Sequence, residues 1–286
     1  MNIYEIVTER VIEQMSKGII PWDRPWRRTS DVAISYATRK PYSLLNQMLL
    51  GEPGEYLTFK QVKELGGSVK KGSLAKFVVF FSFVEKDIVT EDGTKDKEVY
   101  PLLRYYHVFN VKDCEGVEPK LKAEEISSVN DPIEMCENIV SEYAQRTSLN
   151  LTIKESNSAY YSPAQDEVVM PLLNQFKSSE AFYATFFHEL THSTGAPNRL
   201  NRIGITGAHS FGGREYSREE LIAEMGSAML CNLTGIDTKK VFENAVAYLD
   251  NWMQALRADT SMIVWAAGRA EKAVKLILNE EVPQPA

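Results

Sequence analysis

Apolar residues follow a helical period at the start of the chain. They recur at intervals of three and four through Ile3–Met15, which predicts an amphipathic helix, and Gly18 is placed to end it. Two shorter patterns predict helices at residues 42–50 and 58–65, the second with Thr58 as its N-cap.

The pattern then changes to extended structure. Residues 76–85 are apolar, aromatic and β-branched, which favours a strand, and residues 102–111 predict a returning strand. The Glu-Asp-Gly-Thr sequence at residues 91–94 is typical of a turn between them. Residues 21–28 contain two prolines and predict an extended loop. Together these elements predict a small α+β domain over residues 1–112.

Longer helical patterns dominate the second half. Residues 113–131 are charged and lack an apolar period, so they predict a linker. Helical periods follow at residues 133–147, 178–194, 218–233, 238–256 and 263–279. Short strands are predicted at residues 151–153 and Glu167–Met170. The sequence thus predicts an α+β protein whose second domain, residues 132–286, is mainly helical with a small sheet.

The composition is that of a globular protein. Of the 286 residues, 44% are hydrophobic and 25% are charged, which leaves room for a sizeable core. No apolar run approaches the ~18 residues that span a bilayer, so no membrane partner is predicted. Cys114, Cys136 and Cys231 form no CxxC pair and indicate neither a disulfide framework nor a cysteine zinc knuckle. These features predict a reducing, cytoplasmic location.

Charge is distributed unevenly along the chain. Residues 1–112 carry 17 lysines and arginines against 14 acids, a net charge of +3, whereas residues 113–286 carry a net charge of −10. The first half is therefore the better candidate for binding a polyanion, although a net charge of +3 is weak evidence by itself.

The most specific chemical pattern is His188-Glu189-Leu190-Thr191-His192, within an apolar helical stretch. Histidines four residues apart lie on one face of a helix, so both imidazoles can reach a single ion. Zinc accepts imidazole readily, and the glutamate beside the first histidine is placed to act as a general base. The pattern predicts a zinc site on His188 and His192 with Glu189 as the catalytic residue. The alternative is an amphipathic helix whose histidines merely lie at its polar edge.

A third protein ligand is expected, because catalytic zinc sites commonly use three. The helix predicted at residues 218–233 offers Glu219, Glu220 and Glu224, of which the last two share one face. We assign Glu220 to the metal and Glu224 to the orientation of a ligating histidine. An exchange of these two roles stays open, as does an ordinary solvated acidic face. His209, in a glycine-rich loop, is a weaker candidate ligand.

Peptide hydrolysis would also need a donor for the oxyanion that forms on the scissile carbonyl. Tyr160, Tyr161, His209 and Tyr216 are candidates that the sequence does not rank. Residues 166–171 could form an edge strand that aligns an extended peptide, or could only complete the sheet.

Aromatic and basic residues are interleaved in the first half, as a groove for single-stranded DNA requires. Rings can stack on bases while cations meet phosphates, and the affinity then depends on salt. The candidate DNA-binding residues are Trp22, Trp26, Arg27, Arg28, Lys40, Tyr42, Lys60, Lys70 and Lys71. Aromatic residues more often belong to a core, so this pattern alone is weak evidence.

A series of short motifs in order gives the chain a family resemblance. The motifs are Pro21-Trp22, Pro41-Tyr42 with Asn46, residues 56–61, Leu65-Gly66-Gly67, residues 69–72, residues 106–110, Tyr160-Tyr161, residues 166–171, residues 187–192, Thr194-Gly195, Arg199-Leu200 and residues 219–224. With these motifs the chain resembles the ArdC family of antirestriction proteins, which plasmids, phages and other mobile elements carry. The resemblance extends through nearly the whole sequence.

The resemblance implies an N-terminal domain that binds single-stranded DNA, joined to a zincin-like metallopeptidase domain. It implies protection of incoming DNA from host restriction, zinc on His188, His192 and a glutamate of the second helix, and Glu189 in the base position. Two other interpretations stay open. In one, zinc only braces the fold of a DNA-binding protein; in the other, a metallopeptidase acts on a host protein.

Overall fold

The computed structural model describes residues 2–22, 32–89, 95–120, 132–207, 214–236 and 246–280. The predictions for Trp26, Arg27, Arg28, His209 and the turn at residues 91–94 lie outside these residues.

The first half builds a four-stranded sheet with short helices. Its elements are α1 (Ile3–Met15), β1 (Ala33–Ser35), α2 (Leu44–Leu50), β2 (Gly54–Thr58), α3 (Phe59–Glu64), β3 (Ser68–Val69), β4 (Lys76–Val89), β5 (Lys95–Asn110) and β6 (Cys114–Glu115). In the sheet, β1 is parallel to β2, β2 is antiparallel to β5, and β5 is antiparallel to β4. The strands predicted at residues 76–85 and 102–111 are confirmed in longer form, whereas β1 and β2 were not predicted.

Local hydrogen bonds explain where the helices of this half begin and end. Asn2 and Glu5 form a capping box at the start of α1, whose bounds equal the predicted ones. Thr58 accepts a hydrogen bond from the Gln61 N–H in a second capping box, at α3. Gly18 has a φ of 73° just beyond α1, a conformation that favours glycine and confirms its predicted role.

Two buried amides tie α2 to the sheet. Asn46 Nδ2 donates to the Val79 carbonyl at 2.8 Å, and Asn46 Oδ1 accepts from the Val79 N–H at 2.7 Å. Gln47 makes the equivalent pair of hydrogen bonds with Ala33, each at 2.8 Å. The backbone groups of two strands are thereby satisfied away from water, which fixes α2 on the sheet.

Residues beyond the predicted first domain also pack on it. β6 pairs antiparallel with β3, and Cys114 and Val117 are buried with Leu57 and Val62 in a small cluster. Residues 114–117, within the predicted linker, therefore belong to the packing of the first half.

The second half is mainly helical with a three-stranded sheet. Its elements are α4 (Pro132–Thr147), β7 (Asn150–Ile153), β8 (Tyr160–Ser162), β9 (Glu167–Met170), α5 (Ser179–Ser193), α6 (Ile203–Thr206), α7 (Arg214–Thr234), α8 (Val246–Ala258) and α9 (Met262–Ile277). The strand order is β7–β9–β8, with β9 parallel to β7 and antiparallel to β8. Of the two alternatives for residues 166–171, the edge strand is wrong and completion of the sheet is confirmed, because β9 is hydrogen-bonded on both sides.

One hydrophobic core joins the two halves of the chain. It contains Val11 of α1 together with Met225 of α7 and Ile263 of α9. Thr8 Oγ1 of α1 also donates a hydrogen bond of 2.8 Å to the Thr260 carbonyl. The two predicted domains therefore do not pack as independent units.

A second core lies beneath the helices that carry the histidine motif. It brings together Tyr143 of α4, Val168 of β9, Phe187 and Leu190 of α5, and Leu230 of α7. Burial of large apolar side chains from four elements holds these helices in fixed positions.

Within the described ranges, no helix combines the length and the apolar character that a membrane crossing would need.

Candidate metal centre and nucleic-acid surface

Helix α5 presents the two motif histidines on one face. Ser178 caps the helix, since its Oγ accepts a hydrogen bond of 3.2 Å from the Ala181 N–H. The helix predicted at residues 178–194 is confirmed. His188 Nε2 and His192 Nε2 lie 3.1 Å apart, so one ion could contact both nitrogen atoms.

Close packing of α7 on α5 brings carboxylates to the histidines. Gly226 of α7 lies against Thr191 of α5, and a Cβ at Gly226 would be 2.6 Å from both Cγ2 and Oγ1 of that threonine. Nearby, Ser227 Oγ donates to the Ala184 carbonyl at 2.7 Å. A side chain at Gly226 would push apart the two helices that carry the site, so glycine is required there.

Three groups converge at this helix crossing. Glu220 Oε2 is 3.6 Å from His188 Nε2, and Glu220 Oε1 is 3.6 Å from His192 Nε2. Atoms bound to one tetrahedral zinc at about 2.0–2.1 Å would be roughly 3.4 Å from one another. The spacing of His188, His192 and Glu220 therefore fits a metal ion of this size.

The charges around the histidines favour a cation. Burial alone would lower the pKa of His188, but a hydrogen bond to Glu220 and the charges of Glu224 and Glu189 raise it to about 9. Burial also opposes ionisation of Glu220, but its hydrogen bond with His188 and the charges of both imidazoles hold its pKa below the usual range. The carboxylates of Glu189, Glu220 and Glu224 thus surround the two imidazoles, and this negative charge favours a bound cation.

Glu219 holds His192 in place, which the sequence analysis did not predict. Glu219 Oε1 is 3.3 Å from His192 Nδ1, and the buried carboxylate also pairs with Arg202 at 2.5 Å. Arg202 in turn donates to Thr194 Oγ1 at 2.6 Å and to the Thr191 carbonyl at 2.8 Å. A carboxylate on Nδ1 fixes the imidazole so that Nε2 faces the candidate metal position.

The roles of Glu219 and Arg202 were only weakly indicated by the sequence. Glu219 lies in the motif at residues 219–224, but its adjacent glutamate was assigned the role on the metal. Arg202 carried no signal, because it reaches Glu219 from a separate loop.

Glu224 lies near the other histidine. Its Oε1 is 4.0 Å from His188 Nδ1, whereas Glu220 faces the Nε2 atoms of both histidines. The geometry favours Glu220 beside the metal and Glu224 as an outer carboxylate, rather than the exchanged roles.

The histidines and Glu189 line a cavity of 340 Å³. Three of the predicted oxyanion donors, Tyr160, Tyr161 and Tyr216, line the same cavity. The Tyr161 hydroxyl already donates to Asp166 Oδ1 at 2.9 Å, so it is committed to the turn before β9. Tyr160 is therefore a better candidate than Tyr161.

The predicted DNA-binding residues differ in accessibility. Trp22 is 3% exposed and belongs to the core shared by the two halves, so the prediction that its ring stacks on bases is wrong. Tyr42 is partly buried. The predicted lysines are all exposed, namely Lys40, Lys60, Lys70 and Lys71.

An aromatic row, defined as Tyr42, Phe80 and Tyr106, crosses the sheet of the first half. The ring centroids of Tyr42 and Phe80 are 6.2 Å apart, and those of Phe80 and Tyr106 are 5.8 Å apart. Phe80 is 45% and Tyr106 46% exposed, and the exposed Arg104 is opposite Phe80 in the strand register. Phe80 and Tyr106 were not among the predicted DNA-binding residues, since the pattern of an apolar strand does not reveal which of its faces is exposed.

Comparisons with known proteins agree with both halves of this description. Residues 1–109 match a family model described as the N-terminal domain of anti-restriction factor ArdC. Residues 138–269 match a family model described as a zincin-like metallopeptidase. The fold and the helix crossing at the histidine motif thus define a zincin-like domain, a class whose members hold a metal ion.

Solved structures are similar over the full length. The metal-free crystal structure of the ArdC antirestriction protein from plasmid R388 is 30% identical, with a TM-score of 0.72, over 99% of this chain and 100% of that one. Its Mn(II)-bound structure is 28% identical, with a TM-score of 0.73, over 98% of each chain. This chain belongs to the ArdC family of antirestriction proteins.

Curated relatives place the same unit in other proteins. A DNA primase TraC of Escherichia coli is 31% identical over 98% of this chain, and the chain spans 27% of that protein's length. An uncharacterized protein y4eC of Sinorhizobium fredii is 29% identical over 95% of this chain and 90% of its own length. The chain therefore spans about a quarter of the TraC protein and most of y4eC.

Proposed function

We propose that this protein is an antirestriction protein of a mobile genetic element, that its first half binds single-stranded DNA, and that its second half holds a zinc ion at a peptidase site. Membership of the ArdC family supports the antirestriction role, and the similar R388 protein comes from a plasmid. A cytoplasmic location fits the cysteines, because Cys114, Cys136 and Cys231 are buried thiols that form no disulfide with one another.

The aromatic row carries the proposal of DNA binding. Phe80 and Tyr106 are both exposed, with ring centroids 5.8 Å apart, and Arg104 is exposed opposite Phe80, an arrangement that suits a strand whose bases are unpaired. A duplex hides the faces of its bases, so it cannot stack on such a row. The exposed lysines of the first half would add salt-dependent contacts to phosphates.

A binding titration tests this part of the proposal. Labelled single-stranded DNA and the matching duplex are titrated with the full chain over a series of salt concentrations. We expect tight binding of the single strand that weakens steeply with salt, and weaker binding of the duplex. Equal affinity for both forms, or no binding at low salt, would contradict DNA binding through the aromatic row.

The residues at the helix crossing suit a peptidase role. His188, His192 and Glu220 would hold the zinc ion, which when bound supplies a Lewis acid for the scissile carbonyl. Glu189 lines the cavity beside them and would take a proton from water and pass it to the leaving amine. Burial, together with the charge of Glu220 and a hydrogen bond to it, raises the pKa of Tyr216, so its protonated hydroxyl would have to exchange Glu220 for the developing oxyanion as its acceptor.

The position of β8 suggests how a peptide would approach. β8 lies at the edge of its sheet among the described residues, and its Tyr160 lines the cavity. An extended peptide could pair with this edge and bring its carbonyl toward Glu189.

The substitution Glu189→Gln separates a peptidase site from a structural metal site. We expect the variant to keep its metal and its DNA affinity while hydrolysis of an unstructured protein substrate falls about 10²–10⁴-fold. Hydrolysis that survives in the variant would contradict the role of Glu189. A metal-loaded wild type that hydrolyses no peptide would favour a zinc ion that only braces the fold.

A further inference from the structure

Three neighbouring cavities follow one stripe of α9 along the boundary between the two halves. The cavity at the start of α9 has a volume of 390 Å³ and is lined by Tyr4 of α1 and by Trp265, Gly268, Arg269 and Lys272 of α9. We call it the Trp265 pocket. It combines two aromatic side chains, two cationic side chains and one glycine, Gly268, which has no side chain.

The other two cavities connect this pocket with the aromatic row. The middle cavity shares Val264 and Gly268 with the Trp265 pocket, and it shares Glu271 with the third. The third cavity is lined by Tyr42, the first member of the aromatic row. The three cavities therefore lie one after another between the aromatic row and α9, and an extended ligand could reach from one to the next.

Arg269 is the central cation of the Trp265 pocket. Its guanidinium lies 3.7 Å from the centroid of the Trp265 ring, and Arg218 lies 5.2 Å from the same centroid. Within the described part of the chain, no carboxylate forms an ion pair with Arg269 or Lys272. Burial and the neighbouring charges of Arg202 and Arg218 lower the pKa of Arg269 and outweigh the opposing charges of Glu215 and Glu219.

We propose that the Trp265 pocket binds one nucleotide of the single-stranded DNA whose neighbouring bases stack on the aromatic row. The base would stack beside Trp265 and Tyr4, and its phosphate would meet Arg269 and Lys272. This inference rests on the proposed DNA-binding function and adds a contribution from the second half of the chain.

The chemistry of the pocket favours this occupant. Aromatic side chains offer stacking, and cations that form no ion pair among the described residues favour an anion, so the two together fit a nucleotide rather than an apolar peptide. Among the described residues that line the three cavities, Glu271 is the only acid, and it accepts a hydrogen bond from the Leu44 N–H. That contact draws its carboxylate toward the start of α2.

Gly268 provides a clean test, because a Cβ built there meets nothing within 4 Å. Gly268→Leu should fill the pocket without disturbing the fold, and Gly268→Ala is its matched control. Arg269→Gln removes the central cation, and Lys154→Gln removes an exposed cation that does not line the pocket. The full chain of each variant is titrated against a labelled thymidine oligonucleotide of about 20 nucleotides over a salt series, with thermal unfolding as a check of folding.

We expect Gly268→Leu and Arg269→Gln to weaken binding of the oligonucleotide about tenfold or more, and the two control variants to bind as the wild type does. The slope of log affinity against log salt should also fall by about one for Arg269→Gln. If the folded variants bind the oligonucleotide with the affinity and the salt slope of the wild type, the inference is overturned. The proposal that the aromatic row binds single-stranded DNA would not be affected.

Two further titrations test whether the pocket binds a free nucleotide or a free phosphate instead of a nucleotide within a DNA strand. Thymidine monophosphate and inorganic phosphate are titrated separately against the wild type and Arg269→Gln. If either binds in an Arg269-dependent way while the oligonucleotide is unaffected by the substitution, the pocket belongs to a free anion and the inference is overturned. If the wild type binds no oligonucleotide, the proposed DNA-binding function itself fails, and this inference fails with it.

Discussion

The Nδ1 atom of His192 faces the buried carboxylate of Glu219 at 3.3 Å, while its Nε2 atom faces His188 and Glu220. One nitrogen is thus held by the protein and the other is left for a metal. Such an outer carboxylate orients a ligating imidazole and raises its basicity. Because Arg202 pairs with the same carboxylate, the loop before α6 is coupled to the geometry of the site.

We predict that Glu219→Gln weakens metal affinity about 10–100-fold, because the neutral amide orients His192 less strongly and leaves Arg202 without its counter-charge. A competition titration with a chelator of known affinity measures this. Glu224→Gln is the matched control and should have a smaller effect, since Glu224 lies 4.0 Å from His188. A larger loss in Glu224→Gln than in Glu219→Gln would contradict this order.

Gly226→Ala should destabilise the fold by about 1–3 kcal/mol, because the new methyl group would overlap the stiff, buried Thr191. The same substitution at Gly268 meets open space and should stabilise the helix by up to about 1 kcal/mol. Urea denaturation of the two variants tests the pair. If the two substitutions change the free energy of unfolding equally, α5 and α7 can move apart with little loss of stability, which would contradict the prediction.

The fragment 1–112 should not fold alone, because α1 packs on α8 and α9, and Val7 and Val11 are buried in one core with Leu256 and Ile263. The full chain should unfold in one cooperative transition. Circular dichroism of the fragment and calorimetry of the full chain measure these properties. A fragment with a cooperative thermal transition of its own would contradict the shared core.

Glu271 should make stability depend on pH. Burial is the main cause that raises its pKa above the usual value, although the Leu44 N–H opposes the shift. Since the folded form binds the proton more tightly, the stabilising contribution is complete below the unfolded pKa and is lost as the pH rises through the folded pKa. We therefore expect the stability of the wild type, relative to Glu271→Gln, to decrease as the pH rises above the usual glutamate pKa of about 4.3 and through the raised pKa of the folded form. Urea denaturation of both proteins across this range measures the difference, and a constant difference would contradict the shift.

Local sequence patterns were sufficient for much of the fold and for the core of the candidate site. The period of apolar residues predicted α1 at its observed bounds, and the histidine motif predicted the pair of imidazoles on α5. These features depend on residues close in sequence. The spacing of His188 and His192 follows from one turn of helix, whatever the rest of the chain does.

Features that depend on distant contacts were not predictable in the same way. Trp22 is aromatic and lies among basic residues, but only its tertiary neighbours reveal that it is core. The central position of β9 depends on pairing with β7 and β8, and Glu219 acquires its role through Arg202. The open face of Phe80 likewise follows from what covers the sheet and what does not.

The most direct test of the account is the single-strand affinity of the variant Phe80→Ala/Tyr106→Ala in the full chain. Stacking contributes about 1–3 kcal/mol per base, so we predict at least a tenfold loss of affinity with a nearly unchanged salt slope. Phe59→Ala, which removes an exposed ring outside the aromatic row, should bind as the wild type does. Wild-type affinity in the double variant, or an equal loss in Phe59→Ala, would contradict the claim that this row binds single-stranded DNA.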